Sequence, residues 1–304
     1  MPTADNTTRV DGAIRLLPQR FRAQAIWLER DVRDRAEEFR LRTGFRPTVL
    51  ASGTELEFGE DNVTPRDLDA VMELATSASA HTSRDTVRRG FVTVRGGYRV
   101  GLGGNVITRD GEADGYRAYS SLAIRIVGER RGVAEPVAKL LYADGAVGTL
   151  IISPPGFGKT TLLRDLVRLL SDGLENPAAP ARRVGLADVR GEIAALLGGV
   201  AQLYVGRRTD ILDGCAKAEA VLTLVRVMNP EIVALDEVTS PEDIRAIELA
   251  CLCGAKLVAT AHAESRGDLH SKPVYRRMLD SGVFEKLVTI ASKNGVREYA
   301  VESL

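Results

Sequence analysis

The segment Ser153-Pro-Pro-Gly-Phe-Gly-Lys-Thr160 constrains this chain more than any other. An apolar run at 148–152 precedes it and a helical pattern at 159–171 follows it. Strand, glycine-rich turn and helix in that order make one unit of an α/β layer, because the turn carries the chain from a sheet edge into a covering helix. Backbone N–H groups of such a turn point inward as a nest, and the helix N-terminus adds its positive dipole end. The segment therefore favours an anion. The pattern G-x-x-x-x-G-K-[ST] narrows the anion to nucleotide phosphates. Gly156, Gly158, Lys159 and Thr160 stand in place, while Ser153 replaces the first glycine, which serine can do where φ is negative. The expected contacts run through Ser153, Pro154, Pro155, Gly156, Phe157, Gly158, Lys159, Thr160 and Thr161. Lys159 would reach the β and γ oxygens, and Thr160 would ligate Mg²⁺ through its hydroxyl.

A second feature lies downstream. In Ile232-Val-Ala-Leu-Asp236-Glu237 four apolar residues run into two acids, as a buried strand does at the carboxyl edge of a parallel sheet. Asp236 there can hold Mg²⁺ through water, and Glu237 can orient or deprotonate an attacking water. A glutamate beside the metal carboxylate favours hydrolysis over transfer to a second substrate. The next strand, Leu257-Val-Ala-Thr-Ala-His262, ends on a polar pair. His262 there is either a hydrogen-bond partner of the γ-phosphate or a satisfied histidine at a strand end. Together these residues predict a nucleoside triphosphate with Mg²⁺ as ligands; ATP is the expected one, although no residue marks the base and GTP stays open beside it.

The remaining pattern divides the chain in two. Apolar runs at 148–152, 183–187, 231–235, 256–261 and 284–290 alternate with helical stretches near 159–171, 215–228 and 241–253. Continuous apolar strands between helices predict a mostly parallel sheet covered on both faces. The part before it reads as α+β. A helix is expected over 18–31 with Phe21, Ala25 and Leu28 on one face, and another over 65–80 with Thr64 as N-cap. Strands are expected at 38–43, 91–95, 98–100 and 121–127, with Gly96-Gly97 as a two-residue hairpin turn. Gly101, Gly103 and Gly104 read as turns or bulges. The polar stretch 128–136 reads as a linker, and 175–181 as a surface loop. The expected domains are 1–131 and 132–304.

Composition excludes several classes. The chain has 304 residues, with Lys plus Arg equal to Asp plus Glu at 41 each, so no global field draws it to nucleic acid. Aromatic residues make up only 5%, too few for a stacking platform on single strands. Cys215, Cys251 and Cys253 lack paired spacing, which speaks against disulfides or structural zinc and for small buried thiols. No apolar window fits a signal peptide or a membrane span, so a cytoplasmic protein is expected, peripheral to a membrane only through partners.

Further motifs carry a family resemblance. They are Gly-Lys-Thr-Thr-Leu-Leu-Arg-Asp at 158–165, Asp188-Val-Arg-Gly-Glu-Ile193, Val205-Gly-Arg-Arg-Thr-Asp210, Leu212-Asp-Gly-Cys-Ala-Lys-Ala-Glu219 and Ala259-Thr-Ala-His262. In the first half, Gly97-Tyr-Arg-Val-Gly101 and Ser120-Ser-Leu-Ala-Ile-Arg-Ile126 join them. Residues 148–290 resemble the traffic ATPases of type II and type IV secretion and pilus retraction. The whole chain resembles the stage III sporulation protein AA family. The resemblance implies a RecA-like P-loop NTPase core after a smaller α+β N-terminal domain. It implies that Asp188 and Glu192 form an acidic box placing Mg²⁺ and water, though the residues alone read as a strand end and helix start. It makes His262 a γ-phosphate sensor. It places Arg207 and Arg208 near the nucleotide or a subunit boundary; a solvated face is the alternative.

The resemblance also implies a homo-oligomer, a hexameric ring, that drives a membrane-embedded secretion channel. Ten Lys/Arg face five Asp/Glu between Arg84 and Arg131, either a basic surface or a source of positive charge to a neighbouring subunit, with Arg117 and Arg125 as candidates. The acids are followed by Val238-Thr-Ser240, where relatives often carry Ile-Gly or Arg-Asp, so the switch after them differs. Two alternatives remain beside the motor ATPase: a slow nucleotide-gated scaffold, and a nucleic-acid-dependent ATPase. The phosphate loop permits the last, but neutral charge opposes it.

Overall fold

The computed structural model describes residues 6–76, 90–142, 145–175, 178–293 and 296–304. Two units emerge, one comprising the chain to Glu129 together with Leu196–Gln202, the other Arg130–Ala195 and Leu203–Leu304.

The first unit is α+β. It contains α1 (Asn6–Ile14), α2 (Gln19–Ala25), α3 (Arg30–Asp34), β1 (Ala36–Arg42), β2 (Thr48–Ala51), β3 (Thr54–Glu57), α4 (Pro65–Thr76), β4 (Phe91–Val94), β5 (Tyr98–Arg109) and β6 (Glu112–Arg125). The strands form an antiparallel sheet in the order β3-β2-β1-β6-β5-β4. Phe21, Phe39, Leu41, Leu68, Val71 and Ile124 fill the core between sheet and helices.

Several expectations change here. The helix expected over 18–31 is two helices, because Glu29 is extended (φ −52°, ψ 141°) and starts α3 afresh. The helix over 65–80 is described to Thr76, and 77–80 lie outside the described residues. Thr64 stands at the N-cap position and its carbonyl accepts from Asp67 N–H (3.0 Å), but its side chain is a donor there. Its hydroxyl and backbone N–H both donate to Asp67 Oδ2, at 2.6 and 2.7 Å, so the acid closes the helix start. The hairpin turn spans three residues, since Val94 pairs with Tyr98. Strand β6 begins well before 121 because its first half is exposed or half-buried and shows no apolar alternation. Of the three glycines, Gly103 and Gly104 flank a bulge, whereas Gly101 pairs regularly with Phe91.

The second unit is α/β. It runs α5 (Glu135–Tyr142), β7 (Thr149–Ser153), α6 (Lys159–Asp172), β8 (Leu174–Glu175), β9 (Ala178–Ala179), β10 (Val184–Ala187), β11 (Leu196–Leu197), β12 (Val200–Ala201), β13 (Thr209–Leu212), α7 (Lys217–Met228), β14 (Ile232–Leu235), α8 (Pro241–Leu252), β15 (Lys256–His262), α9 (Arg266–Ser271), α10 (Pro273–Asp280), β16 (Lys286–Lys293) and β17 (Val296–Ser303). The hairpin β11–β12 groups with the first unit. The main sheet has the order β13-β10-β14-β15-β7-β16-β17. Its strands are parallel except for the last pair.

Strands β7, β10 and β14 are buried at every position, which is why they read as unbroken apolar runs. Two apolar cores cover the two faces. One centres on Leu150, Leu235 and Leu257, the other on Ile151, Leu163 and Val258. Successive β7 residues divide between them, as a period of two requires. The expected linker ends inside α5, and the expected surface loop contains the short antiparallel pair β8–β9. The cysteines are not fully buried: Cys215 and Cys251 are half-buried, and Cys253, the C-cap of α8, is exposed. Among the described residues, no helix is long and apolar enough to cross a membrane.

Candidate nucleotide site

Three adjacent parallel strands bring the site together. In the β15–β7 register His262 lies opposite Ser153, and in the β14–β15 register Leu235 lies opposite Ala259. The phosphate loop, Asp236, Glu237, Thr260 and His262 therefore meet at one carboxyl edge, where crossovers in such sheets leave a crevice. Ser153 is the buried last residue of β7 and is not among the residues with positive φ, so its side chain is tolerated at the first glycine position. Gly156 and Gly158 take φ of 81° and 93°, values that favour glycine.

Lys159 begins α6 and folds back over the loop. Its Nζ donates to the carbonyls of Ser153 (2.8 Å) and Pro154 (3.2 Å) and lies 3.0 Å from His262 Nδ1. Burial pushes its pKa down, and Asp236 and Glu237 oppose that shift. Thr160 Oγ1 donates to Asp236 Oδ2 at 2.9 Å, and Thr260 donates to the other oxygen, Oδ1. Glu237 sits in the left-handed region at φ 54°. Its Oε2 accepts from Arg190 Nη1 at 2.7 Å, and its Oε1 stands 2.6 Å from His262 Nε2. Its backbone N–H donates to Thr260 Oγ1 (2.7 Å), and its carbonyl accepts from Lys217. Phe157 and Thr161 are half-buried on the loop and in the first helical turn.

The acidic box behaves differently from the expectation. Asp188 is 2% exposed, and its carboxylate accepts from the N–H groups of Glu192 (2.9 Å), Ile193 (3.1 Å), Ala194 (2.8 Å) and Ala195 (3.3 Å). Burial pushes its pKa up, and these donors oppose the shift. Asp188 thus organises its own loop, and it lines the cleft that also holds Asp236 and Glu237. Glu192 lines the same cleft as Asp236, Glu237, Arg190 and Lys217, and its carbonyl accepts from Arg164.

Arg207 and Arg208 are corrected as nucleotide contacts within the chain. Their N–H groups donate to Asp172 Oδ1 (3.0 Å) and Ser171 Oγ (2.6 Å), at the C-terminal end of α6. A helix rising about 1.5 Å per residue puts that end roughly 20 Å from Lys159. Arg117 and Arg125 are exposed on β6, and Arg125 Nε is 3.8 Å from Glu38 Oε2.

Sequence reasoning gave no role to Arg190, Lys217 or Arg297. Arg190 lies inside the quoted acidic box, which was the available signal. Lys217 lies inside the quoted motif at 212–219, the same kind of signal, whereas nothing local marks Arg297. The Thr160 hydroxyl and Asp236 carboxylate form a hard-oxygen pair, the donor type Mg²⁺ takes when phosphates and water complete its shell.

The comparisons agree with this architecture. The family model described as sporulation stage III, protein AA matches residues 9–299. Stage III sporulation protein AA of Bacillus subtilis is 37% identical over 88% of this chain and 85% of its own length. Among solved structures, the pilus retraction motor PilT with bound ADP superposes with a TM-score of 0.57 at 16% identity, over 88% of this chain and 79% of that one. The Legionella pneumophila ATPase DotB gives 0.55 at 16% identity, over 88% and 76%. At these identities the likeness is one of fold, a RecA-like α/β core with an N-terminal domain.

Proposed function

The chain belongs to the sporulation stage III protein AA family, and on that premise we propose that it is a Mg²⁺-dependent ATP hydrolase working as a motor. The observation that carries this reading is the convergence of Thr160, Asp236, Glu237 and His262 at one sheet edge beside Lys159. A binding protein needs only the loop. The paired acids and the histidine add what hydrolysis requires.

Thr160 and Asp236 would hold Mg²⁺, which neutralises charge on the β and γ oxygens when bound. Lys159 gives up its carbonyl partners to meet the γ-phosphate, which compensates its buried charge better than neutral acceptors do. Glu237 positions a water in line with the γ-phosphorus and takes its proton as the anhydride bond to the β-phosphate breaks. His262 Nε2 holds Glu237 on one side, and Arg190 holds it on the other. The neutral tautomer with the proton on Nε2 satisfies both of its contacts, since Nδ1 then accepts from Lys159.

The named activities of the similar solved structures, a retraction motor and an ATPase, support a motor reading. In that reading the subunits close into a homo-oligomeric ring, hexameric as in the traffic ATPases. The ring acts on a membrane-embedded sporulation channel through protein contacts, from the cytoplasmic side. Arg207 and Arg208, exposed and remote from the loop, then belong to a subunit boundary, and Arg117 or Arg125 serves a neighbour's nucleotide. A slow nucleotide-gated scaffold is the second reading, favoured by Glu237 having both carboxylate oxygens engaged.

Steady-state phosphate release with Mg²⁺ and ATP tests the reading. Release that falls at least about 100-fold in both Lys159→Ala and Glu237→Gln supports hydrolysis at this site. Release unaffected by either change overturns it. Molecular mass in solution with a non-hydrolysable ATP analogue tests the ring, which a strict monomer at high concentration excludes.

A further inference from the structure

The sheet order separates two sides of the phosphate loop. Strand β7 delivers the loop, with β15 and then β14 on one side and β16 and then β17 on the other. The carboxylates and His262 stand on the β14–β15 side, so the γ-phosphate end of a bound nucleotide faces that way. The nucleoside end must lie toward β16 and β17, where neighbouring strands are about 4.8 Å apart.

Arg297 of β17 stands on that second side. A Cβ built on Gly158 would meet its Cζ at 2.8 Å and its two terminal nitrogens at 3.0 and 3.1 Å. The near-equal distances place the guanidinium broadside on the glycine. The register Ser292↔Arg297 with β16, and Leu287↔Leu150 between β16 and β7, tie the arginine's strand to the loop's strand. Arg297 is exposed, and among the described residues its side chain makes no hydrogen bond or ion pair. An arginine with five donors is thus held at the mouth of an anion nest with no anion of the protein to bind it. A guanidinium whose plane packs on backbone keeps its edge N–H groups available for a phosphate or carboxylate fork.

We propose that Arg297 binds the α-phosphate side of the nucleotide's phosphate chain, closing the loop opposite the hydrolytic carboxylates. The inference rests on the nucleotide reading above and adds to it a residue outside the loop and the acidic pairs. Gly158 is held to glycine by its φ of 93°, and the guanidinium packs on the face this leaves open.

The contact is shared by diphosphate and triphosphate, so ADP and AMP-PNP should lose affinity alike. Titration of the full chain with each, in Mg²⁺, should show about tenfold weaker binding in Arg297→Ala, as expected for one charge-assisted pair. Arg297→Lys should recover about half of that loss on a logarithmic scale. Its exposure makes these variants safe for folding. ADP binding unchanged in Arg297→Ala, while Lys159→Ala abolishes it, overturns the role of Arg297 and leaves the nucleotide site standing. Weakened AMP-PNP with unaltered ADP also overturns it, since the contact would then lie at the γ end. If the unaltered chain binds neither nucleotide, the site reading itself fails, and this inference with it.

Discussion

Nε2 of His262 stands 2.6 Å from Oε1 of Glu237, while the other ring nitrogen of the same imidazole lies 3.0 Å from Lys159 Nζ. One side chain thus spans the cation expected to meet the γ-phosphate and the carboxylate expected to activate water. When Lys159 turns toward a phosphate, His262 loses one partner and keeps the other. In the proposed reaction the histidine would position Glu237 and register where Lys159 points.

Replacing His262 by alanine should therefore lower kcat more than it weakens nucleotide binding. A loss of about 100-fold in phosphate release is expected, the lower end of what an oriented general base contributes. ADP affinity should change by less than about threefold, since the loop and Thr160 are untouched. His262→Asn, which keeps one hydrogen bond, should recover part of kcat. Equal losses in kcat and ADP affinity would assign His262 to ground-state binding instead.

Glu237 adopts φ 54°, a region that disfavours residues with a Cβ. The strain is of order 1 kcal/mol, and its neighbours hold it there: Thr260 takes its N–H and Lys217 takes its carbonyl. Glu237→Gly should relieve the strain and raise stability by about 1 kcal/mol, read as the urea midpoint. It should also abolish turnover. Glu237→Gln should leave stability within about 0.5 kcal/mol and abolish turnover as well. A glycine variant less stable than the glutamine one would show that the carboxylate's contacts outweigh the backbone strain.

Much of this site could be read from sequence, for a physical reason. Strands β7, β14 and β15 are buried on both faces, so each is a continuous apolar run whose polar terminus marks the sheet edge. The loop's glycines and Lys159 are local. The failures share the opposite cause. Strand β6 is half exposed, so no apolar alternation announces its first half. The backbone N–H groups that Asp188 collects come from its own loop's fold, which no residue type in the sequence announces. Arg207 and Arg208 are adjacent to the site by motif, yet one helix length away in space. Arg297 reaches Gly158 through the order β7-β16-β17, which no spacing rule encodes.

Asp188→Ala tests the structural role just described. The change leaves up to four buried N–H groups without an acceptor, each worth about 1 kcal/mol or more, so a loss of at least about 3 kcal/mol in urea unfolding is expected. Asp188→Asn retains one acceptor oxygen and should lose less. Mg²⁺ dependence of turnover in the asparagine variant should match the unaltered chain. A rise of tenfold or more in the Mg²⁺ needed for half-maximal rate would restore the metal role.

Lys159 gives the last prediction its sign. Its folded-state pKa lies below the ordinary value of 10.5, with burial as the largest cause. Between the folded pKa and 10.5 the unfolded chain binds more protons than the folded one, so stability rises with pH across that window. Below the window both states are protonated, and the nucleotide-free protein bears the full penalty of a buried ammonium whose hydrogen-bond acceptors are all neutral. Lys159→Met removes the charge and keeps the volume. It should unfold at higher urea than the unaltered chain near pH 7, and the difference should shrink as pH rises toward 10.5. Saturating ATP analogue with Mg²⁺ should reverse the order at pH 7, because phosphate contacts then stabilise only the lysine form. A methionine variant that is less stable at pH 7 without nucleotide would show that the carbonyl contacts of Lys159 fully offset its burial.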